Sequence, residues 1–387
     1  MPKRQFAVLL LCNFIAFYFG SSVVTLMPIY TDELGADSAQ SGWMMAVAFV
    51  FLAVSTIVTG RLSDRIQRRK GLFLVGAILT VPSVWLMGQA ATLEQLTVFM
   101  MISWFVGGAV ITCINILAGL FAPEGQRGRV FGILGVAGGL GGLAGGLTSG
   151  PIVDHWDFQA LFTILALLYV VVSIAAVFLE DKPPMPVNRP TASSPQPNVF
   201  TNRPFLLLFL ASVLAFVANS EILLARSLLM DRLQFDATAI SVAGAVGSLV
   251  TLPLPLLVGW LSDRLGRKPF LIFIYLMNGL ALLILAVAFD LWHFWAVSAL
   301  QVTITSSLVV GSAMVTDMFP KETLGMSLSL FAATSWIGNV VGFGATGSAM
   351  QAIGTTPALL IGALLIGVAV LLLAPPRPLR PIYQAEA

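Results

Sequence analysis

The chain has 387 residues, of which 58% are hydrophobic and 10% charged, against about 45–50% and about 25% in an ordinary globular protein. With a mean hydropathy of +0.93, so much apolar chain belongs in a lipid bilayer, which excludes soluble enzymes, collagen-like chains and disordered tails. The net charge is only +2, and the 20 Lys and Arg are scattered beside apolar runs, not gathered in a basic stripe, so a nucleic-acid partner is not expected.

The first apolar run begins directly after Lys3 and Arg4 and continues for about 25 residues, beyond the roughly 7–15 of a signal-peptide core. It reads as an uncleaved first span. Apolar runs then recur near 6–30, 39–60, 71–90, 96–121, 129–153 and 158–179, and again near 205–229, 237–260, 269–289, 292–318, 323–350 and 356–374. At roughly 20 apolar residues per spanning helix, these runs predict an all-α membrane protein of twelve transmembrane helices in two six-helix bundles, residues 1–180 and 204–374. Residues 181–203 between them carry Pro183, Pro184, Pro186, Pro190, Pro195 and Pro197 among Ser, Thr and Asn. Such a segment reads as a semi-extended linker. Residues 375–387 form a tail.

Orientation follows from the basic residues, which are retained on the cytoplasmic side during insertion. With twelve spans, all of the 20 Lys and Arg except Arg226 and Arg232 fall at one side. Both termini and the linker are therefore expected to be cytoplasmic.

The halves also repeat. Gly60-Arg61-Leu62-Ser63-Asp64-Arg65 and Gly259-Trp260-Leu261-Ser262-Asp263-Arg264 follow the second span of each half at a separation of 199 residues, and Pro123 and Pro320 are 197 apart. Two matching landmarks argue for internal duplication, which in secondary transporters places a solute site between the halves near the midplane. The first loop continues Ile66-Gln67-Arg68-Arg69-Lys70 and the second Leu265-Gly266-Arg267-Lys268.

These loops resemble the G-x-L-(A/S)-D-R-x-G-R-(K/R) signature of the major facilitator superfamily, and the likeness extends over the whole twelve-span layout. Gln67 departs from the pattern where the family has glycine. The resemblance implies a conformational latch that holds one state during alternating access, carried here by Gly60, Asp64, Arg65 and Arg68 and by Gly259, Asp263, Arg264 and Arg267. Asp317, near the cytoplasmic end of the tenth span, is expected to join the second cluster. Setting topology is the simpler use of the basic residues, but it requires neither the aspartate nor the repeated spacing.

The fifth span holds Gly135, Gly138, Gly139, Gly141, Gly142, Gly145, Gly146 and Gly150, followed by Pro151. Small residues at this spacing allow close helix packing. Gly146, Gly150 and Pro151 also fit part of the family's antiporter motif, although Asp154 and His155 stand where it has further glycines. The basic residue that antiporters of the family carry in the fourth span is replaced by Ser103. Glu221 in the seventh span is the only acid well inside an apolar run, and such a carboxyl group can gain and lose a proton as a cavity opens to either side. Arg226 is the nearest charge in sequence, yet five residues turn a helix by about 500°, so the two point about 140° apart.

In the family the first, fourth, seventh and tenth helices line the cavity. The resemblance thus implies a lining from Asn13, Phe17, Ser21, Ser103, Asn115, Phe216, Asn219, Gln301 and Thr305. Asn13, Phe17 and Ser21 recur every four residues, as do Ser103, Gly107, Ile111 and Asn115, each set reading as one helix face. For any single residue the competing role is an interhelical hydrogen bond, worth about 0.6 kcal/mol. Cys12 and Cys113 sit in apolar runs as small hydrophobes. His155 and His293 lack a second ligand at metal spacing, and no metal or cofactor is expected.

Three functions compete at this stage. One is a proton-coupled exporter of apolar or amphipathic compounds, as the likeness to the family's drug:proton antiporters implies. Another is an importer or facilitator of a polar metabolite such as a sugar or amino acid. The third, a membrane enzyme or receptor, is weakest, because no His-Glu-x-x-His or Ser/Lys dyad and no sizeable soluble domain is present. A monomer in a bacterial inner membrane, using small-molecule solute and protons, completes the expectation.

Overall fold

Apolar segments bounded by charges, Gly and Pro fold as helices throughout the computed structural model, which describes residues 2–66, 68–122, 126–181, 199 and 202–374, except the side chains of residues 127, 255, 256, 259, 260, 263, 321 and 322. The first half contains α1 (Lys3–Glu33), α2 (Ser38–Ile66), α3 (Arg69–Met87), α4 (Leu93–Phe121), α5 (Arg127–His155) and α6 (Phe158–Val177). The second contains α7 (Arg203–Arg232), α8 (Ala237–Thr251), α9 (Leu254–Leu265), α10 (Arg267–Ala286), α11 (Leu291–Gln301), α12 (Thr305–Met318), α13 (Lys321–Ile353) and α14 (Thr355–Leu373). Among the described residues there is no strand.

Among the described residues eleven segments are long and apolar enough to cross a membrane, and Ala237–Thr251 is a shorter apolar helix, so each expected span has a counterpart. Large apolar side chains cover the outside: Leu167 and Val309 are 60% exposed and Leu364 70% exposed. In water such a surface would aggregate, whereas in lipid it is the stable arrangement.

Two spans that read as continuous are interrupted. The expected span 237–260 breaks between α8 and α9 at Leu252 and Pro253, where proline starts the new helix. The expected span 292–318 narrows to a 3-10 turn at Val302–Ile304 between α11 and α12.

Local chemistry fixes the ends. Thr92 accepts from the Gln95 amide at 3.3 Å while Gln95 Oε1 accepts from the Ala91 amide at 3.0 Å, starting α4. Asp157 and Asp236 cap α6 and α8 by accepting from Ala160 N at 2.6 Å and Ala239 N at 2.7 Å. Gly266, the loop glycine of the second signature copy, joins α9 to α10 at φ +86°, a left-handed conformation that glycine adopts without steric cost. Gln67, its counterpart in the first copy, lies outside the described residues.

The duplication extends to the turns. α1 ends with Ala36 N donating to Thr31 O and Gly35 N to Asp32 O; α7 ends with Phe235 N donating to Met230 O and Gln234 N to Asp231 O. These are two copies of one helix-ending motif, at the same 199-residue offset as the signature loops. Gly35 has φ +80° and Gln234 φ +63°.

The chain forms two compact units. One comprises Met1–Met185 with Arg226–Leu252; the other comprises Pro186–Ala225 with Pro253–Ala387. In the first, α5 packs along α1 on one side and α8 on another, while α3 packs with α4 and α6. In the second, α10 packs against α14 and α11, and α12 against α13.

Candidate functional site

Successive residues on a helix point about 100° apart, so a run of three polar residues inside a span addresses three different neighbours. Asn219, Ser220 and Glu221 of α7 do so within the second unit. Asn219 Oδ1 accepts from Gln301 Nε2 at the end of α11 at 2.7 Å. Ser220 Oγ donates to Asn339 Oδ1 of α13 at 2.8 Å. The Glu221 carboxyl lies against Gly362 of α14, in the space a β-carbon there would occupy. All three are at most 6% exposed. Among the described residues no hydrogen bond or ion pair reaches the Glu221 carboxyl. The three residues thus link α7 to α11, α13 and α14, with a carboxyl group facing bare helix backbone.

Gln301 borders the 3-10 turn, where Thr303 and Thr305 hydroxyls donate to Leu300 O at 2.6 Å and Val302 O at 2.8 Å. A 3-10 stretch within a helix commonly marks a hinge. The Asn219–Gln301 pair uses one donor and one acceptor. Among the described residues Asn219 Nδ2 and Gln301 Oε1 have no partner. Thr305 is exposed. Phe216 is buried against Gly338 of α13.

Arg226 is 2% exposed and belongs to the first unit. A β-carbon added to Gly244 of α8 would stand 3.7 Å from Arg226 Nη2 and 2.9 Å from Thr25 Oγ1. Glu221 and Arg226 therefore address different helices, as the angle between them requires.

In α1, Asn13 Nδ2 donates to Leu134 O of α5 at 2.8 Å. Phe17 lies against Gly138, 3.1 Å from the position of an added β-carbon, and Ser21 against Gly142 at 3.8 Å. The face read from the four-residue spacing is one face, and it borders the glycines of α5. Along α4, Ser103 Oγ is 3.2 Å from Ser83 Oγ of α3 and fully buried. Asn115, three turns on, is exposed.

The signature loops differ. Arg267 pairs with Asp317 and donates to Ala313 O at 2.7 Å, joining the second loop to the end of α12. Arg264 is exposed; Gly259 and Asp263 fall among the undescribed side chains. In the first copy Asp64, Arg65 and Arg68 are exposed, Gly60 has open space beside it, and among the described residues Asp64 has no ion pair. Lys70 instead anchors the end of α6, with Nζ donating to Val177 O and its amide to Asp181 Oδ1, both at 2.7 Å.

The glycines of α5 divide between two partners. A β-carbon on Gly141 or Gly145 would meet Phe14 O or Tyr18 O of α1. One on Gly146 would meet Ala245 of α8 at 2.8 Å, and one on Gly150 would overlap Ser241 and Ala237 O. Pro151 stays within the helix. Sequence reasoning missed Asn339 and Gly362. Asn339 carried a signal, as an amide inside an apolar span; Gly362 looked like any small residue.

Comparison with known proteins places this geometry. The model of the Major Facilitator Superfamily matches residues 9–225 and 208–387. The multidrug resistance protein MdtG of Proteus mirabilis is 26% identical over 340 residues, covering 83% of each chain. MdtG of Salmonella typhimurium is 26% identical over 299 residues, covering 73% of this chain and 72% of its own. Among solved structures, a mutant form of the nucleoside transporter NupG superposes with a TM-score of 0.78 at 15% identity over 95% of this chain and 98% of its own. A POT family transporter in complex with a thioalcohol-conjugated peptide superposes with a TM-score of 0.79 at 14% identity over 96% and 95%. At such identities the structures establish the fold alone. The family model, matched over nearly the whole chain, establishes what kind of protein it is: the chain belongs to the major facilitator superfamily, and is a multi-pass membrane transporter of small molecules and not an enzyme.

Proposed function

We propose that the protein exports small apolar or amphipathic compounds in exchange for protons by alternating access, with Glu221 as the group that carries the proton. The observation that supports this most is the Glu221 carboxyl: buried in a span, without a counter-charge among the described residues, and one and two residues from the contacts that tie α7 to α13 and α11. A proton gained or lost there changes the charge at a point where three helices meet α7, so it can bias which helix arrangement is stable. The relatives named for multidrug resistance point the same way for the cargo.

In this reading the halves delimited by the linker, 1–180 and 204–374, are the moving bodies, and Arg226 and the polar residues of α1, α4, α7, α11 and α12 meet solute or proton. The signature loops and Asp317 hold the latch. The protein works as a monomer in a bacterial inner membrane with both termini in the cytoplasm. Uptake of a polar metabolite is the second reading, favoured by the Asn219–Gln301 amide pair, whose remaining donor and acceptor suit a hydroxyl or amide solute.

Purified full-length protein in proteoliposomes separates the two. Under an imposed pH step, ethidium flux opposite to the proton flow supports export. Flux of labelled glucose or alanine without ethidium flux supports the second reading and removes the first.

A further inference from the structure

The outer end of α5 carries a carboxylate where the antiporter pattern has glycine. Asp154, in the last turn of α5, reaches the first turn of α8: Oδ1 accepts from the Ala237 amide at 3.0 Å, and Oδ2 accepts from the Thr238 amide at 2.8 Å and the Thr238 hydroxyl at 2.5 Å. The first amides of a helix have no partner within it. The cap of α8, Asp236, takes the Ala239 amide, and Asp154 takes the two that Asp236 leaves. A negative charge there is also favoured by the helix dipole. The start of α8 is thus held by two carboxylates, one from its own chain end and one from another helix.

Below the carboxylate the two helices close face to face without bulk. β-Carbons added to Gly139, Gly142 and Gly146 would stand 2.7 Å from Leu252, 2.9 Å from Ser248 and 2.8 Å from Ala245, and one on Gly150 would overlap Ser241. The partners run 252, 248, 245, 241 as the glycines run 139, 142, 146, 150, an antiparallel seam in register. At its outer end Ser241 Oγ accepts from the Gly150 amide at 3.1 Å. A glycine seam holds by close van der Waals packing, which is not directional. The directional contacts of the seam are concentrated at its outer end.

We propose that Asp154 is a reversible outer clasp, holding α8 on α5 while the outer face is closed and releasing it when the seam parts. Asp154 and Thr238 are exposed or partly so, so water can solvate the carboxylate and its donors once they separate, and the contact can break and reform. This inference rests on the alternating-access reading but not on the role of Glu221.

Spin labels at Trp156→Cys and Leu233→Cys, both exposed positions beside the outer ends of α5 and α8, report the separation in the full-length protein in nanodiscs. Cys12 and Cys113 are buried and stay unlabelled. Pulsed dipolar distances are expected to show a short and a long population. Asp154→Ala is expected to shift the ratio toward the long one by about tenfold, and Thr238→Val, which removes only the hydroxyl, by a smaller factor in the same direction. An unchanged ratio in both variants overturns the clasp. Should Asp154→Ala fail to fold, Thr238→Val alone decides, and a wild-type ratio there overturns it. A single distance in the unsubstituted labelled protein at every pH and solute condition overturns the alternating-access reading and the clasp with it.

Discussion

Replacing Gly362 with alanine should displace the carboxyl group of Glu221 while leaving the residue itself unsubstituted. The added methyl would coincide with the carboxyl position. Because that group ends a flexible side chain, the side chain yields before the backbone of α14 does. Overpacking of this kind costs about 1–3 kcal/mol. The cost has a single source, so it should vanish when the source is removed: in a Glu221→Ala background the methyl enters vacated space, and Gly362→Ala becomes nearly neutral. A double-mutant cycle on the unfolding midpoint of the solubilised protein should therefore give a coupling of about 1–3 kcal/mol. In proteoliposomes Gly362→Ala should also weaken pH-driven flux with Glu221 still present. Losses that simply add, with Gly362→Ala equally costly in both backgrounds, would refute the contact and the placement of the carboxyl group on α14.

Gln234 holds a left-handed backbone at the turn where its repeat counterpart is Gly35, so Gln234→Gly should raise stability by about 1 kcal/mol and Gly35→Ala should lower it by a similar amount, both read from unfolding midpoints. The Arg267–Asp317 pair has side chains 35% and 55% exposed, so Asp317→Asn should cost under about 1 kcal/mol of stability. Its effect should appear instead as faster exchange between conformers in single-molecule fluorescence, and an unchanged rate would remove Asp317 from the latch.

The spans were legible because apolar runs of membrane length have few alternatives, whereas the caps at Asp157 and Asp236 and the left-handed turns at Gly35 and Gly266 emerged only in the structure. The break at Pro253 was written in the sequence and hidden by the apolar residues around it. The 3-10 turn at Val302–Ile304 contains no proline or glycine, and its hydroxyl-to-backbone bonds left no pattern distinct from any threonine in a span. Asn219, Ser220 and Glu221 stood out as polar residues at membrane depth. Gln301 stood out as well, but the pairing did not, because a sequence gives the angle between side chains on one helix and not which helix stands at each angle. Ser103 shows the same limit: its four-residue spacing to Gly107 and Asn115 defined a face, and the end of that face at Ser103 meets Ser83 of α3. The glycines of α5 announced close packing, but the division between α1 and α8 needed the structure.

The central claim is that the Glu221 carboxyl couples proton movement to solute movement. The most direct measurement is ethidium flux driven by a pH step in proteoliposomes, compared between the unsubstituted protein and Glu221→Gln, which keeps the shape and removes the titrating group. The account predicts flux that follows the pH step in the first and ignores it in the second, with dye binding retained in both. Flux in Glu221→Gln that follows the pH step as in the unsubstituted protein would contradict it.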